Sequence, residues 1–283
     1  MTSVSTPAAN GRPSVAHVLG GWIRGRRGAL TTFVVALFVF WQVSVPLLPT
    51  ELIPYPYEVA GFMWDEIRGD TLAPHTVYQA FGITFGRLGI GFVLAVAIGV
   101  PVGLVMGMSL RFEAMFRDFL VVLLTIPYLV WALVFSMWLG FGSGAPVLTV
   151  TLTALPFIIL NVMEGVRDVP RDLVDMANAF EMPRPTLIRH VIFPSQMPFV
   201  FAALRYGFAN GWKGVVVAEV FGAADGAGWT IRYWYDAHRA QGVIGYALFF
   251  VLFSLVLERV VFGRLSKTVF RWRPAVADRA SEN

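Results

Sequence analysis

Three ionisable side chains, Arg205, Lys213 and Glu219, interrupt an otherwise apolar segment between Met197 and Phe221. Ionisable groups at membrane depth are costly and usually face the interior of a helix bundle or a water-filled cavity. In a helix, a rotation of about 100° per residue places Arg205 within about 40° of Glu219 and about 80° of Lys213. A rise of about 1.5 Å per residue separates the three charges too far along the axis for direct pairing. They predict either an electropositive pathway suited to an anion or a structural role, in which each charge pairs with a group on a neighbouring helix or extends towards the membrane surface.

Aromatic side chains gather around the same segment. Trp212 directly precedes Lys213 and joins Arg205, Lys213 and Glu219 as a candidate for the lining of such a pathway. Arg87, in another apolar segment, has the same two interpretations as the three charges. Trp and Tyr are enriched where a membrane meets water, so anchoring at that interface is the main interpretation of the aromatic group, and contact with a passing solute is the alternative. Besides Trp212, the group contains Trp229, Tyr233, Trp234 and Tyr235.

A second set of residues is typical of contact with another protein. A polar, arginine-containing stretch of about 30 residues lies between two apolar segments, and loops of this length are often functional. Pro170 suits the first turn of a helix, and Asp172 suits its positive end. Apolar side chains then follow at i, i+3, i+4 and i+7, which makes one stripe along that helix. They are Leu173, Met176, Ala177 and Phe180.

The same stretch is predicted to form two short helices. Pro183 and Pro185 are expected to end the first helix and begin a second one over residues 186–192, which Pro194 ends. An amphipathic helix can lay its apolar stripe in a groove of another protein. It can also pack on the ends of membrane spans or lie on lipid headgroups. The pattern alone leaves these possibilities open.

The chain that carries these candidates is far too apolar for a soluble domain. Of its 283 residues, 57% are hydrophobic and 14% are charged. Several uncharged runs reach the roughly 20 residues that a helix needs to cross a bilayer. The predicted fold is an all-α integral membrane protein with six transmembrane helices and a cytoplasmic two-helix loop between spans four and five. The spans are expected at residues 28–48, 81–108, 119–140, 146–163, 197–221 and 242–261.

The distribution of basic residues predicts the orientation. Lys and Arg collect in both terminal tails, near Arg111 and Arg117, and in the loop over residues 164–196. Because basic residues favour the cytoplasmic side, both termini and this loop are expected in the cytoplasm. The expected organisation is a cytoplasmic tail (1–27), a six-span membrane domain (28–262) that includes the 164–196 loop, and a second cytoplasmic tail (263–283).

Glycines at four-residue spacing mark one face of the predicted second span. Gly99, Gly103 and Gly107 fall on the same side of a helix. Small residues allow a neighbouring helix to approach closely. That neighbour is expected either within the same chain or in a second subunit.

Several classes of function are excluded by absence. The chain has no cysteine, so disulfides, thiol catalysis and thiolate metal sites are excluded. Its four histidines are scattered, without an HExxH pattern or paired intramembrane carboxylates, so neither an enzyme nor a metal site is predicted. The net charge of +4 is explained by topology and does not indicate nucleic-acid binding. No GxxxxGK[ST] motif occurs, so another chain must bind any ATP that drives this protein.

The polar loop resembles the EAA signature of ABC importer permeases. That signature reads Glu-Ala-Ala, three residues, Gly, nine residues and Ile-x-Leu-Pro. Residues 75–107, 125–142 and 193–222 are also similar to permeases of the nitrate/sulfonate/taurine group, so the resemblance covers most of residues 75–272. The matching signature positions are Asp175, Met176, Ala177, Glu181, Val191, Phe193 and Pro194.

Glu181 is the main departure from the signature, because it replaces the usual glycine. Glycine there permits a tight helix end at positive φ, which glutamate adopts only with strain. Two outcomes are therefore open. Either the turn is built differently, with Pro183 involved, or the surface that contacts the partner has changed.

The resemblance implies the remaining expectations. Two copies of the permease (a homodimer) form a pathway between them in a bacterial plasma (inner) membrane. The loop helices couple to two cytoplasmic ATPase subunits, which bind ATP and Mg, and an extracytoplasmic solute-binding protein delivers the solute. The residues expected to couple to the ATPase are Leu173, Asp175, Met176, Ala177, Phe180, Glu181 and Pro183.

The solute expected from this resemblance is a small organic or inorganic anion, such as a sulfonate, taurine, nitrate or a carboxylate. A thiamine-precursor pyrimidine or an aromatic acid carried by the same machinery is the alternative. An ion-gradient-driven secondary transporter, which would need no ATPase, is the rival class. Many such transporters contain two halves of similar sequence, and no such internal similarity is visible in this sequence.

Overall fold

The protein is described by a computed structural model, which covers residues 26–47, 53–169 and 171–269. All regular elements within these ranges are helical, as predicted for the fold class. The chain divides into two compact units, residues 1–61 and 62–283. The helices are α1 (Arg26–Ser44), α2 (Pro56–Arg68), α3 (Val77–Met108), α4 (Leu110–Thr125), α5 (Tyr128–Leu139), α6 (Gly144–Arg167), α7 (Arg171–Ala179), α8 (Arg184–Leu187), α9 (Phe193–Gly222), α10 (Ala227–Asp236), α11 (Ala240–Val256) and α12 (Gly263–Val269).

The first unit contains the predicted first span. The stretch Gly28–Leu47 is long and apolar enough to cross a bilayer. Near the end of this stretch, the indole Nε1 of Trp41 donates a hydrogen bond to the carbonyl oxygen of Pro54, 3.2 Å away. This contact joins the end of α1 to the segment that leads into α2.

The second unit is built around α6, which packs against α3 through the predicted glycine face. A Cβ placed on Gly91 would lie 2.6 Å from the carbonyl oxygen of Val147, and one on Gly103 would lie 2.7 Å from that of Ile159. These distances are shorter than any normal contact, so only glycine allows this approach. The close neighbour is therefore within the chain. Gly99 and Gly107 are equally close to α6 side chains.

Helix α9 covers the other side of α6. A Cβ on Gly207 would lie 2.7 Å from Cγ1 of Ile158, and a Cβ on Gly99 would lie 2.8 Å from Cγ2 of the same isoleucine. Ile158 is fully buried. Helix α6 is thus held between two glycine-containing faces, which explains why it contributes so many core residues.

The third predicted span is wrong as a single helix. Helices α4 and α5 meet at a 93° bend instead of continuing across residues 119–140. Pro127 lacks the N–H that would continue the ladder, and the preceding Ile126 is extended, with φ −71° and ψ 121°. The result is a broken span or a re-entrant segment.

The number of spans stays a prediction. Among the described residues, four helical stretches are long and apolar enough to cross a membrane, and a fifth is added if the bent pair counts as one. They are the stretches of α1, α3, α6 and the continuous run Ala240–Ser266. Helix α9 has 30 residues, which is long enough to cross a membrane. Because it contains charged and polar residues, it is less apolar than these four stretches and is not counted among them.

Part of the aromatic group forms core instead of an interfacial belt. Trp212 is buried beside the rings of Phe85 and Phe250, and Trp234 is buried against Phe62. The prediction of interfacial anchoring is therefore wrong for both tryptophans. Aromatic residues carry the largest apolar areas, and packing inside this helical unit competes with the interface for them.

Candidate functional site

Helix α7 presents apolar side chains to its surroundings. Phe180, just after the helix, is 78% exposed, and Met176 is 52% exposed. Ala177 is buried, so it is the inner edge of the predicted stripe. Asp175 is exposed beside them. Pro170 and the side chain of Leu173 lie outside the described part of the chain.

The end of α7 has the geometry that the signature glycine would give. Glu181 has φ +50°, a left-handed conformation that is uncommon for residues other than glycine. The N–H of Met182 donates to the carbonyl oxygen of Ala177 at 2.9 Å, which is the six-to-one hydrogen bond of a Schellman helix end. The turn of the signature is therefore retained despite the substitution, and the exposed Glu181 adds a carboxylate beside Phe180.

This strain gives a first prediction. Glu181→Gly should stabilise the helix end by about 1 kcal/mol, because a left-handed non-glycine residue costs roughly 1–2 kcal/mol and the unfolded glycine is more flexible. Hydrogen exchange at the amide of Met182 should slow about fivefold. Glu181→Ala removes the charge but keeps Cβ, so it should leave exchange unchanged. Equal slowing in both variants would assign the effect to charge and contradict the strain.

The second predicted loop helix is not separate. Helix α8 continues through a π-helical turn, Ile188–Ile192, directly into α9, and Pro194 does not end it. The N–H of Phe193 donates to the carbonyl oxygen of Ile188, five residues back. A wider turn of this kind makes room for a proline ring and its missing N–H. The predicted two-helix loop therefore contains one separate helix, α7. After Pro183 the chain forms an N-terminal extension of α9.

An ion cluster fixes the start of this loop. Arg167, at the last turn of α6, and Arg117 both pair with the buried Glu113 of α4. The Arg167 pair joins α4 to the last residue of α6, directly before the segment that leads to α7, and the Arg117 pair lies within α4.

A second ion cluster lies at the opposite end of α6, near its first residue. Arg87 of α3 is 4% exposed, and its Nη1 lies 2.9 Å from Oε1 of Glu219, which is fully buried. The same Nη1 donates to the carbonyl oxygen of Asp225 at 2.8 Å, and Nη2 pairs with the carboxylate of Asp225. Nε donates to the hydroxyl of Ser143 at 3.1 Å. We call Arg87, Glu219, Asp225, Ser143 and Thr84 the Arg87 network.

The Arg87 network also satisfies the second oxygen of Glu219. The hydroxyl of Thr84 donates to Oε2 at 2.7 Å, and the N–H of Gly228 donates to the same atom at 3.0 Å. A Cβ on Gly226 would lie 2.5 Å from Oε1. Buried charges are stable when they are paired and fully hydrogen-bonded, so this network fastens α3, α9 and the start of α10 together.

The charges predicted in α9 have different environments. Arg205 pairs with Glu258 in the π-helical turn Leu257–Phe262. Glu219 points into the Arg87 network. Lys213 is exposed and has no ion pair among the residues that the structure describes. Pairing with a neighbouring helix, one of the two interpretations of the sequence, is what the structure has for Arg205 and Glu219.

Sequence reasoning missed most of the Arg87 network. Arg87 and Glu219 were candidates from the sequence, but Thr84, Ser143 and Asp225 were not. The spacing of Thr84 and Arg87, three residues apart, places both on one face of α3 and is the only local signal. The other partners lie more than 50 residues away along the chain, so the sequence gives no local indication of them.

Comparison with known proteins gives consistent matches. The model of the family described as "Binding-protein-dependent transport system inner membrane component" matches residues 99–263. The nitrate import permease protein NrtB of Synechococcus elongatus is 29% identical over 92% of this chain and 98% of its own length. The taurine transport system permease protein TauC of Escherichia coli is 24% identical over 75% of this chain and 78% of its own length.

A solved structure matches the fold. It is an inward-facing conformation of the MetNI methionine ABC transporter, with a TM-score of 0.56 and 16% sequence identity. The match covers 74% of this chain and 98% of the compared chain.

Proposed function

We propose that this chain, which belongs to the family of inner membrane components of binding-protein-dependent transport systems, is the permease subunit of an ATP-driven importer of a small anion. Membership of the family confirms the resemblance to ABC permeases that the sequence predicted. The observation that carries the proposal is the exposed stripe of Met176 and Phe180 on α7, followed by a helix end with the signature geometry at Glu181. A large exposed apolar pair beside a rigid turn is typical of a docking surface.

The proposed assembly contains two copies of this chain, two ATPase subunits and an extracytoplasmic solute-binding protein. ATP and Mg bind to the ATPase subunits, and this chain catalyses no reaction. The stripe on α7 fits a groove on each ATPase. The ion pairs of Glu113 with Arg117 and Arg167 lie at the base of the loop and, in this proposal, transmit movement of α7 to α4 and α6. The coupling residues are those named from the signature: Leu173, Asp175, Met176, Ala177, Phe180, Glu181 and Pro183.

We place the protein in a bacterial inner membrane with six spans and both termini in the cytoplasm. The proposed membrane domain is residues 28–262, flanked by the tails 1–27 and 263–283. The positive-inside tendency supports this orientation, because the basic residues of the 164–196 loop and of both tails then share one side.

The proposed solute carries a small oxyanion group. NrtB and TauC are named for nitrate and taurine, and both solutes carry such a group. Lys213 in α9 is exposed and has no ion pair in the described part of the chain, which supports the same class. A pyrimidine or an aromatic acid is the alternative solute, and gradient-driven secondary transport is the alternative class.

Reconstituted vesicles test the proposal. The chain in proteoliposomes with its ATPase and binding protein should accumulate labelled nitrate or taurine only when ATP is inside, and the chain alone should hydrolyse no ATP. Vesicles with a catalytically inactive ATPase are the control. Accumulation driven by an ion gradient in vesicles that contain this chain alone would contradict the proposal and favour a secondary transporter.

A further inference from the structure

Among the four candidate intramembrane charges, Lys213 has no counter-charge in the described residues. Arg87 and Glu219 neutralise each other inside the Arg87 network, and Arg205 pairs with Glu258. The exposed ammonium of Lys213 is therefore the net positive charge that α9 offers to its surroundings. Of the three basic residues that could make the predicted pathway electropositive, Arg87 and Arg205 are neutralised by carboxylates, and Lys213 is left.

Two further polar side chains share a face with Lys213. Tyr206, Asn210 and Lys213 follow at i, i+4 and i+7, so they lie within a sector of about 60°. They span roughly 10 Å along the helix axis. Tyr206 is 57% exposed. We call these three residues the polar face of α9.

The bent segment between α4 and α5 supports this face. The hydroxyl of Tyr128, the first residue of α5, donates to Oδ1 of Asn210 at 2.5 Å. The Nδ2 of Asn210 donates to the carbonyl oxygen of Tyr206 at 2.8 Å. The amide is thereby held in one orientation, with its second N–H without a partner in the described part of the chain.

The polar face is better suited to water than to lipid. Lys213 and Tyr206 are exposed and Asn210 between them is half-buried, and ionisable groups at membrane depth usually face a wet cavity. Helix α9 also falls outside the apolar composition of the other long helices. An aqueous cavity on this side of α9 satisfies both observations.

We propose that the polar face of α9 binds the oxyanion group of the transported solute. The ammonium of Lys213 neutralises the anion, and the hydroxyl of Tyr206 and the free amide N–H of Asn210 donate hydrogen bonds to its oxygens. Tyr128 is a positioning residue that orients Asn210. The assignment deepens and rests on the proposed function, and it excludes Arg205 and Arg87 from solute contact.

The absence of native cysteine permits a test that needs no knowledge of the solute. Ala209 is exposed on α9, one turn from both Arg205 and Lys213. In an Ala209→Cys chain in nanodiscs, the rates of modification by an anionic and a cationic methanethiosulfonate of similar size are measured. Adding Lys213→Gln should lower the anion-to-cation rate ratio about fivefold or more, because one unit charge is lost within a turn of the thiol. Lys213→Arg should keep the ratio.

The matched control removes a charge pair at the same distance. Arg205→Gln with Glu258→Gln leaves the net charge unchanged, so the ratio should change by less than about twofold. An equal fall in this control and in Lys213→Gln would overturn the proposal. A thiol that reacts with neither reagent would also overturn it, because the face would then be covered.

Transport by the full assembly separates this inference from the proposed function. Lys213→Gln should reduce the maximal uptake of nitrate or taurine about tenfold, while Tyr128→Phe should reduce it less. The binding-protein concentration that gives half-maximal ATPase stimulation should not change. Uptake without an ATPase would reject the proposed function but not the charge assignment. ATP-driven uptake that is unaffected by Lys213→Gln would reject only the assignment.

Discussion

We expect Phe180→Asp to abolish association with the ATPase while leaving membrane insertion and folding intact. Burial of a phenylalanine contributes about 1.5–3 kcal/mol, and an aspartate in the same apolar groove adds a desolvation cost. The sum of about 3–5 kcal/mol corresponds to a loss of affinity of roughly 100-fold to 4,000-fold. Phe180 is 78% exposed in the chain, so its replacement removes few contacts within this protein. Co-purification of the ATPase with the tagged permease measures the effect.

A matched substitution in the loop before α6, at Phe141, is the control for this result. Phe141 is also an exposed phenylalanine in a loop, and its backbone carbonyl accepts a hydrogen bond from the N–H of Ala224. Phe141→Asp should therefore leave the ATPase bound. Normal co-purification of the Phe180 variant, or equal loss in both variants, would contradict docking through α7.

Arg87→Met lowers the stability of the chain by about 3–5 kcal/mol. The change leaves the carboxylate of Glu219 buried and without its cation, and Asp225 also loses its partner. For a chain of this size we expect the thermal midpoint to fall by roughly 10 °C. Thermal unfolding in detergent, followed by tryptophan fluorescence, measures the change.

Two further variants identify the cause. Arg232→Met breaks the exposed Arg232–Asp236 pair in α10, with side chains 49% and 59% exposed, and should cost less than about 1 kcal/mol. Arg87→Met combined with Glu219→Gln removes the uncompensated charge and should recover at least half of the lost stability. If the double variant is as unstable as Arg87→Met, the effect is due to lost packing, and the electrostatic account is wrong.

The sequence could predict features that depend on local periodicity. The glycine spacing in α3 gave a close helix approach, because a four-residue repeat defines a helix face whatever the neighbour is. The stripe that ends at Phe180 was found in the same way. The positive φ at Glu181 was not predicted, because the sequence left open whether the turn would be built differently around Pro183.

Other features depend on tertiary context and were missed or wrong. Pro194 was expected to end a helix, yet a π-helical turn accommodates it, whereas Pro127 was expected inside one span and lies at a 93° bend. Whether a proline bends the chain or is accommodated in a continuous helix depends on the residues that pack beside it. A single sequence does not show which residues those are. Helix α2 lies between the predicted first and second spans and was not predicted, because its acidic composition hides the apolar side chains on one face.

Cross-linking from position 180 tests the central claim most directly. Phe180→Cys gives the chain a single thiol, because it has no native cysteine, and that thiol can carry a maleimide benzophenone. On illumination of the full assembly, the account predicts a product of permease and ATPase from position 180 and none from the matched Phe141→Cys. Products only within the permease or with lipid at position 180 would contradict it.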